Sequence, residues 1–554
     1  MKRNLEKLAN QKFDILIVGG GIHGAITAWD AALRGVSVGL IERGDFGSGT
    51  SQNSLKIIHG GLRYLQDGNL SRTRTMARER TTWMKIAPHL IHPLACVMPT
   101  TQQMTRSRIM MSFALRANDI LSFDRNQLAD PEKDIPAGMI VSQQELSRIL
   151  PGYDISTSTG AAVWYDAQIY NPERLLLEFI LSAVQVGAEA ANYVEAINFL
   201  RHDDRIVGVR AKDLQTGQIF DIQSKLVMNC AGAWMDCLLK KSTLRSEYAT
   251  SVAMNVIVDQ IWSDVAVDLT SQPIGGRSSQ VLFIVPWRNK SMIGTCHMPW
   301  RGAPQMFQLN EAMVQGFLDQ VNSAQLPIRL SLNDVRQVTS GFLPIHHEDA
   351  HQQQVKLTRD GVVIDHQKKD GVSGLISILG VKYTTARVVA EQAVNLAVCK
   401  LGMKTQKCQT HIMPVKGGQI DDFSAYLRRA RAEVSGETNK KFNEHLVYTY
   451  GSEYRKLVQY VMKQSDLAYR IAPPLPVTAA EVEHAVHHEM ALTLADVIRR
   501  RTELGSVGLP SMATLQHCAN ILGREFQWSY ESQRQEIDSV IQAYPFEKTK
   551  SSIP

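Results

Sequence analysis

A chain of 554 residues has material for three or four domain-sized units with real cores. Its 44% hydrophobic and 21% charged residues are those of a folded globular protein, which excludes a disordered or fibrous class. A formal net charge of +6 is modest at this length; it permits an anionic small substrate or an anionic membrane surface and gives no ground for a nucleic-acid partner.

Seven cysteines, at 96, 230, 237, 296, 399, 408 and 518, are scattered without a C-x-x-C pair. That is the pattern of free thiols in a reducing compartment, so no metal is expected. The N-terminal Met1-Lys2-Arg3-Asn4-Leu5-Glu6-Lys7 lacks the apolar stretch of a secretory signal. No uncharged apolar run reaches membrane-spanning length. The expected location is the cytoplasm, or the cytoplasmic face of a membrane as a peripheral protein.

The N-terminal unit opens on Ile15-Leu16-Ile17-Val18, whose length and β-branched content predict a buried parallel strand. Gly19-Gly20-Gly21-Ile22-His23-Gly24 follows at once. In this G-x-G-x-x-G turn Gly19 permits the tight bend, Gly21 lets backbone approach a pyrophosphate, and Gly24 lets helix and strand close up. The helix predicted over 25–33 begins with free N–H groups that favour a phosphate. A second strand over 36–41 ends at Glu42, where an acid accepts hydrogen bonds from ribose hydroxyls. Strand, turn, helix, strand and acid together predict a dinucleotide site built from residues 19–24, Glu42 and Arg43.

Glu42 disfavours a 2′-phosphate, which leaves FAD or NAD. Residues 47–64 then decide for FAD, being a long polar, glycine-rich path instead of a third βα unit. The small hydroxyl residues Thr50, Ser51 and Ser54 are expected to line the phosphates and lead the chain toward a flavin ring, with Lys56 also expected at the cofactor.

The run Thr50-Ser51-Gln52-Asn53-Ser54-Leu55-Lys56-Ile57-Ile58-His59-Gly60-Gly61-Leu62-Arg63-Tyr64 resembles the T-S-x-x-S-S-K-L-I-H-G-G-L-R-Y-L segment of the FAD-dependent glycerol-3-phosphate dehydrogenases. Further matches extend over nearly the whole chain: Val285-Pro286-Trp287, Ile293-Gly294-Thr295, Leu357-Thr358-Arg359-Asp360, Lys382-Tyr383-Thr384-Thr385-Ala386-Arg387, Tyr448-Thr449-Tyr450-Gly451-Ser452 and Arg499-Arg500-Arg501-Thr502. The resemblance implies an FAD-binding Rossmann-like domain of the glutathione-reductase/D-amino-acid-oxidase type, an antiparallel-sheet substrate domain and a helical C-terminal domain. It also implies oxidation of a secondary alcohol, glycerol-3-phosphate or a related polyol phosphate, with electrons passed to a quinone. A homodimer is compatible with it.

Beyond residue 64 the basic, helix-forming stretch 66–92 reads as a solvated helix. Residues 104–123 combine Met104, Ile109, Met110, Met111, Phe113 and Leu121 with Arg106, Arg108 and Arg116. This basic amphipathic segment reads either as a membrane-interface helix or as one covering the core; the family's membrane attachment favours the first. Residues 161–166 predict a strand and Pro172 the start of a helix to about 186. A strand over 189–194 should place Val194 beside the dinucleotide, and 205–210 with 218–222 form a hairpin. Leu226-Val227-Met228-Asn229-Cys230-Ala231-Gly232 is the apolar strand and turn that return to FAD.

Strands over 251–258, 280–285 and 291–295 suit an antiparallel sheet roofing the flavin, followed by a helix over 306–325. Strand 375–379, Gly380 and a helix over 383–397 make a second strand–turn–helix at the flavin. The expected division is a discontinuous FAD domain (1–100, 160–250 and 355–405), a substrate or cap domain (101–159 and 251–354) and a C-terminal domain (410–554). Helices are predicted in the last at 420–434, 442–450, 452–463, 479–501 and 511–523. His484 and His488 there read as a solvated face in preference to a metal site.

His59, between an apolar dipeptide and Gly60-Gly61, is the candidate base, and it matches the family's proposed base. Lys382, with the Thr384 and Thr385 hydroxyls, is expected at the ring, where its charge favours anionic reduced flavin. Arg63 is the candidate phosphate anchor, since a guanidinium binds phosphate in bidentate fashion. The resemblance adds Tyr64, Arg359 and Thr384 to the substrate set.

Departures fall in the substrate pocket. Where the family reads S-G-x-R-P-L, this chain has Ser340-Gly341-Phe342-Leu343-Pro344-Ile345, so Leu343 replaces an arginine that contacts substrate. Loss of a charge-assisted contact costs on the order of 1.5–3 kcal/mol, roughly ten- to a hundredfold in binding. Gly294-Thr295-Cys296-His297 likewise replaces G-T-T-D/E, and His346-His347 offers compensation. The alternative these departures raise is FAD-dependent oxidation of a different hydroxy or amino substrate.

Overall fold

The computed structural model describes residues 1–65, 68–246, 248–274, 279–346, 357–544 and 546, without the side chains of residues 346 and 465. Phe13–Val18 forms the centre of a largely parallel sheet. It pairs in parallel with Val38–Ile41 on one side and with residues 224–229 on the other. Glu189–Ala191 extends one edge; Leu375–Leu379 and antiparallel Val362–Asp365 extend the opposite edge. The inner strands are buried on both faces, which is why they read as continuous apolar runs. Helices Ile22–Leu33, Pro172–Gln185 and Ala386–Leu401 share one core on this sheet, with Trp29, Trp83 and Phe179 at its centre.

The hairpin and the strand returning to the turn are continuous in the structure. Ile219–Asn229 is one long strand, antiparallel to Arg205–Asp213 in its first half and parallel to Phe13–Val18 in its second. No glycine or proline interrupts it, so the chain changes partner without turning.

The second sheet runs in the order Val335–His346, Tyr248–Asp259, Lys290–Trp300, Val281–Trp287, Ala266–Thr270, Ile91–Thr100, Gly160–Ile169 and Ile57–Ile58. Ile91–Thr100 and Gly160–Ile169 fall within ranges expected in the first domain, yet they pair with each other over ten positions here. Ile57-Ile58 pairs with Ala167-Gln168, so the loop leaving Glu42 ends as an edge of this second sheet.

Three helical expectations change. Leu70–Ile86 is not simply solvated: Met76, Trp83, Glu79 and Arg80 are buried. Glu79 accepts two hydrogen bonds from the Arg387 guanidinium, at 2.8 and 2.6 Å. The 479–501 helix stops at Glu489, because Met490 turns left-handed at φ 55°; it resumes after Thr493 and widens into a π-helical turn, Val497–Arg501. A further helix, Tyr530–Gln542, follows Met512–Phe526.

Arg108–Leu121 is capped by Ser107 and buries Met111 and Leu115. Ile109, Met110, Phe113 and Ile120, with Met104 and Phe123 at the ends, are exposed; Phe113 is 64% accessible. The segment therefore covers the core with one face and offers apolar side chains with another.

The C-terminal domain is tied to the first sheet by buried ions. Asp45 accepts from Arg500 at 2.6 Å and from Arg501 at 2.7 Å through each oxygen. Asn192 reaches the same carboxylate at 3.0 Å, and Arg500 also pairs with Asp496 at 2.6 Å. Burial opposes charge on Asp45, but Arg501 and Arg500 outweigh it and hold the carboxyl down at about 2.

Candidate active site

The glycine turn divides its roles by steric room. A Cβ on Gly24 would lie 1.9 Å from the Gly19 carbonyl oxygen, so only glycine lets this helix close on the strand. A Cβ on Gly21 would meet only Ser51 Oγ, at 3.3 Å, and so marks an open cradle. The Ile22 N–H donates to Ser51 Oγ at 3.0 Å. Glu42 accepts from the N–H groups of Gly20 (2.6 Å) and Gly44 (2.8 Å). Burial nonetheless pushes its carboxyl up, against the pull of those donors.

Around this turn stand the other expected residues. Val194 N–H donates to the Glu42 carbonyl at 2.8 Å, and the Arg43 guanidinium lies 5.7 Å from the Trp234 ring centroid. Gly232 opens the turn Gly232–Trp234 with φ 55°. His23 packs under Gly380, where an added Cβ would sit 1.9 Å from the ring, so the two strand–turn–helix units meet here. Burial pushes this imidazole down to about 4.

Thr50 and Lys56, both expected at the cofactor, also have protein partners. Thr50 Oγ1 accepts from the Phe342 N–H at 2.9 Å and donates to the Phe342 carbonyl at 3.1 Å, fastening the loop to the second sheet. Lys56 is buried; its Nζ donates to the Gln52 carbonyl (2.6 Å) and to Glu173 (3.0 Å), and lies over the Trp287 ring. Burial lowers the pKa of that ammonium, partly offset by Glu173.

A second cluster forms where the loop reaches the other sheet. The His59 N–H donates to Thr384 Oγ1 at 3.0 Å, while the Thr384 carbonyl accepts from Trp83 Nε1 at 2.9 Å. His59 Nδ1 stands 2.9 Å from Asp166 Oδ2, and Asp166 Oδ1 accepts the Gly60 N–H at 2.7 Å. The His59 side chain keeps 41% exposure, with Phe283 edge-on at 5.9 Å.

Cations gather beside it. Lys382 Nζ donates to the Arg359 carbonyl at 2.6 Å and lies 4.6 Å from the Tyr64 ring centroid. The Arg72 guanidinium packs over the same ring at 5.1 Å and pairs with Asp360. Burial, then Arg72, Arg63 and Arg359, push Lys382 down to about 8, with Asp360 opposing. Arg63 is exposed, and its charge joins burial in pushing His297 down to about 4. Thr385 precedes the helix Ala386–Leu401 without capping it through its side chain.

Leu343 pairs with Ser251 in the second sheet, on the strand that Thr50 holds. The His346 side chain and His347 lie outside the described residues. Sequence reasoning missed Asp166, Arg72 and Asn255; Asn255 Oδ1 accepts the Thr295 hydroxyl at 2.9 Å. Asp166 had a signal: it is the one charged residue in a mostly apolar strand.

Comparison with known proteins bears on this arrangement. Residues 14–391 match the family described as FAD dependent oxidoreductase. Residues 408–533 match the C-terminal domain of alpha-glycerophosphate oxidase. A glycerol-3-phosphate dehydrogenase from Synechocystis is 30% identical, with 100% of this chain and 99% of that protein covered. The chain belongs to the FAD-dependent glycerol-3-phosphate dehydrogenase family. Its relative in Mycobacterium leprae is 29% identical over 97% of this chain and 88% of that one. In fold, the family's Bacillus halodurans structure complexed with FAD superposes with a TM-score of 0.78, 22% identity and coverage of 99% and 98%.

FAD is thus the cofactor, and the chain's own atoms fit it. Gly21 leaves an open cradle at a helix N-terminus. Buried polar atoms of Ser54, His23 and Trp234 around the loop have no protein partner. These are the donors and acceptors a polar cofactor satisfies.

The steric contrast generates a test. Gly21 has an ordinary φ of −75°, so Gly21→Val should fold, be purified without flavin absorbance and unfold at the temperature of the flavin-stripped parent. Gly24→Val should instead lower the unfolding temperature itself, as read by calorimetry. Retention of stoichiometric FAD by Gly21→Val would remove Gly21 from the cofactor site.

Proposed function

We propose that this protein oxidises the C2 hydroxyl of glycerol-3-phosphate to give dihydroxyacetone phosphate, with electrons leaving to a quinone at a membrane surface. The observation that carries the reading is the pairing of a histidine with a cationic mouth. Thr384 bonds to His59, and Lys382 is two residues earlier in the same turn. An alcohol that also carries a phosphate would engage both groups at once. The relatives' names support this substrate.

Each group has a distinct role in this reading. Arg63, Arg359 and Lys382 hold the phosphate, and Tyr64 supports the Lys382 ammonium with its ring. His59 takes the hydroxyl proton as the C2–H bond breaks. FAD, when bound, accepts the hydride from that carbon. Leu343 withholds a third guanidinium, so the phosphate rests on fewer cations than the family pattern provides.

The exposed apolar side chains of 104–123, interspersed with Arg108 and Arg116, support peripheral attachment to an anionic membrane. Among the described residues no helix is long and apolar enough to cross a membrane. A quinone acceptor is supported by the family resemblance and by such a surface.

Three outcomes test the proposal. Glycerol-3-phosphate should bleach the flavin anaerobically, and His59→Asn should slow that reduction roughly 10²–10⁴-fold with FAD still bound; bleaching by an unphosphorylated polyol alone would displace the substrate. Lys382 is charged below about pH 8 and neutral above it. The KM for glycerol-3-phosphate should therefore rise between pH 7 and 9 in the parent protein and stay flat in Lys382→Met. Vesicles rich in anionic lipid should recruit the protein at low salt and release it at high salt, because screening weakens the attraction; failure at low salt would return 104–123 to a purely structural role.

A further inference from the structure

We propose that Asp166 is the positioning residue of this site: it fixes His59 as the Nδ1–H tautomer and leaves Nε2 as the atom that takes the substrate's proton. The inference rests on the assignment of His59 as base. It follows from which atoms around Asp166 can donate and which can only accept.

Asp166 lies in Gly160–Ile169, opposite Leu94 of the neighbouring strand, and its side chain is buried. One carboxylate oxygen, Oδ1, takes the Gly60 N–H at 2.7 Å, which is a donor and nothing else. The other, Oδ2, stands 2.9 Å from His59 Nδ1. Burial alone would favour a protonated carboxyl here; the contact with His59, the Gly60 N–H and the Arg80 guanidinium outweigh it and keep the carboxyl below its ordinary range. An ionised carboxylate can only accept, so the proton between Oδ2 and Nδ1 belongs to the imidazole. A neutral imidazole with Nδ1 protonated has its lone pair at Nε2, on the far side of the ring.

The surroundings of Asp166 are set up to hold that charge. Arg80 is buried beneath Gly60, where a Cβ on the glycine would be 2.2 Å from Nη1. That guanidinium also donates to the Tyr165 carbonyl, in the residue preceding Asp166. Its cationic field stabilises the carboxylate from below. When His59 gains the substrate's proton at Nε2, the resulting imidazolium faces a carboxylate at hydrogen-bond distance. The proton moves from the alcohol oxygen to Nε2, and no proton moves to Asp166.

A purely structural reading of Asp166, as a cap for the Gly60 turn, makes a different prediction for the isosteric amide. In Asp166→Asn the Gly60 N–H still demands an acceptor, which turns the amide oxygen toward it. The NH₂ group then faces His59 Nδ1 and forces Nδ1 to accept. The ring becomes the Nε2–H tautomer, which cannot take a proton at Nε2. If Asp166 only caps the turn, Asn is the mild substitution and Ala the severe one. If Asp166 sets the tautomer, Asn is at least as damaging as Ala.

The experiment uses the FAD-loaded full chain and glycerol-3-phosphate. Asp166→Asn should lose roughly 10²–10⁴-fold in kcat with KM little changed, and Asp166→Ala should retain at least as much kcat as Asn. A kcat for Asn clearly above that of Ala overturns the proposal. Ring-¹⁵N NMR of the parent protein, with the His59→Asn spectrum subtracted to identify the signal, needs no Asp166 variant to fold. A protonated Nδ1 on neutral His59 supports the assignment, and a protonated Nε2 overturns it. If the parent protein shows the Nδ1–H signal yet does not turn over glycerol-3-phosphate, the functional reading fails while the tautomer assignment stands.

Discussion

The arrangement depends on one buried carboxylate, Asp45, held by two arginines more than 450 positions along the chain. Asp45 sits three residues after Glu42, at the start of the path that carries the chain past Ser51, Ser54 and His59. Burying ions is costly, and apolar replacements of a whole buried network are often neutral or stabilising. Removing one partner is different, because the charge left behind has neither water nor counter-ion. The network is therefore best understood as fixing geometry: Arg500 and Arg501 hold the loop at the place where the nucleotide half of the site begins. The π-helical turn Val497–Arg501 presents both guanidiniums to one carboxylate, which ties the C-terminal domain's local backbone to the cofactor site.

The loop from 42 to 65 then serves both sheets. Its beginning belongs to the parallel sheet through Glu42, Gly20 and Val194. Thr50 fastens its middle to Phe342 in the second sheet, and Ile57-Ile58 adds an edge strand there. His59 emerges immediately after that edge. These contacts thus set where the His59 backbone stands relative to the glycine turn.

Much of this was legible locally. The strand, glycine turn, helix and acid of residues 13–42 carry their own pattern, as do the strand 375–379 and its turn, because the chemistry of a tight turn is written in adjacent residues. The pairing of Ile91–Thr100 with Gly160–Ile169 was not, since strand partners far apart in sequence leave no local trace. Charge patterns misled in the helix Leu70–Ile86, where Glu79 and Arg80 look solvent-facing but are buried beside Arg387 and Gly60. The bonds of Thr50 to Phe342 and of Lys56 to Glu173 were not legible, because those partners come from distant segments. Tyr530–Gln542 is too polar for an apolar stripe to announce it.

The chain's route between its sheets has a mechanical consequence. Residues 13–41 lie in the first sheet, 57–169 contribute to the second, 189–229 return to the first, 248–346 to the second and 362–379 to the first. Clamshell motion needs its bending concentrated in a few residues at one or two crossings. Here four crossings tie the halves together, and Thr50 adds a fifth tether from within a loop. Opening between the two sheets would have to bend all four crossings and break the Thr50 contacts at once. Any motion near His59 is therefore left to individual side chains and short loops, with the two sheets moving as one body.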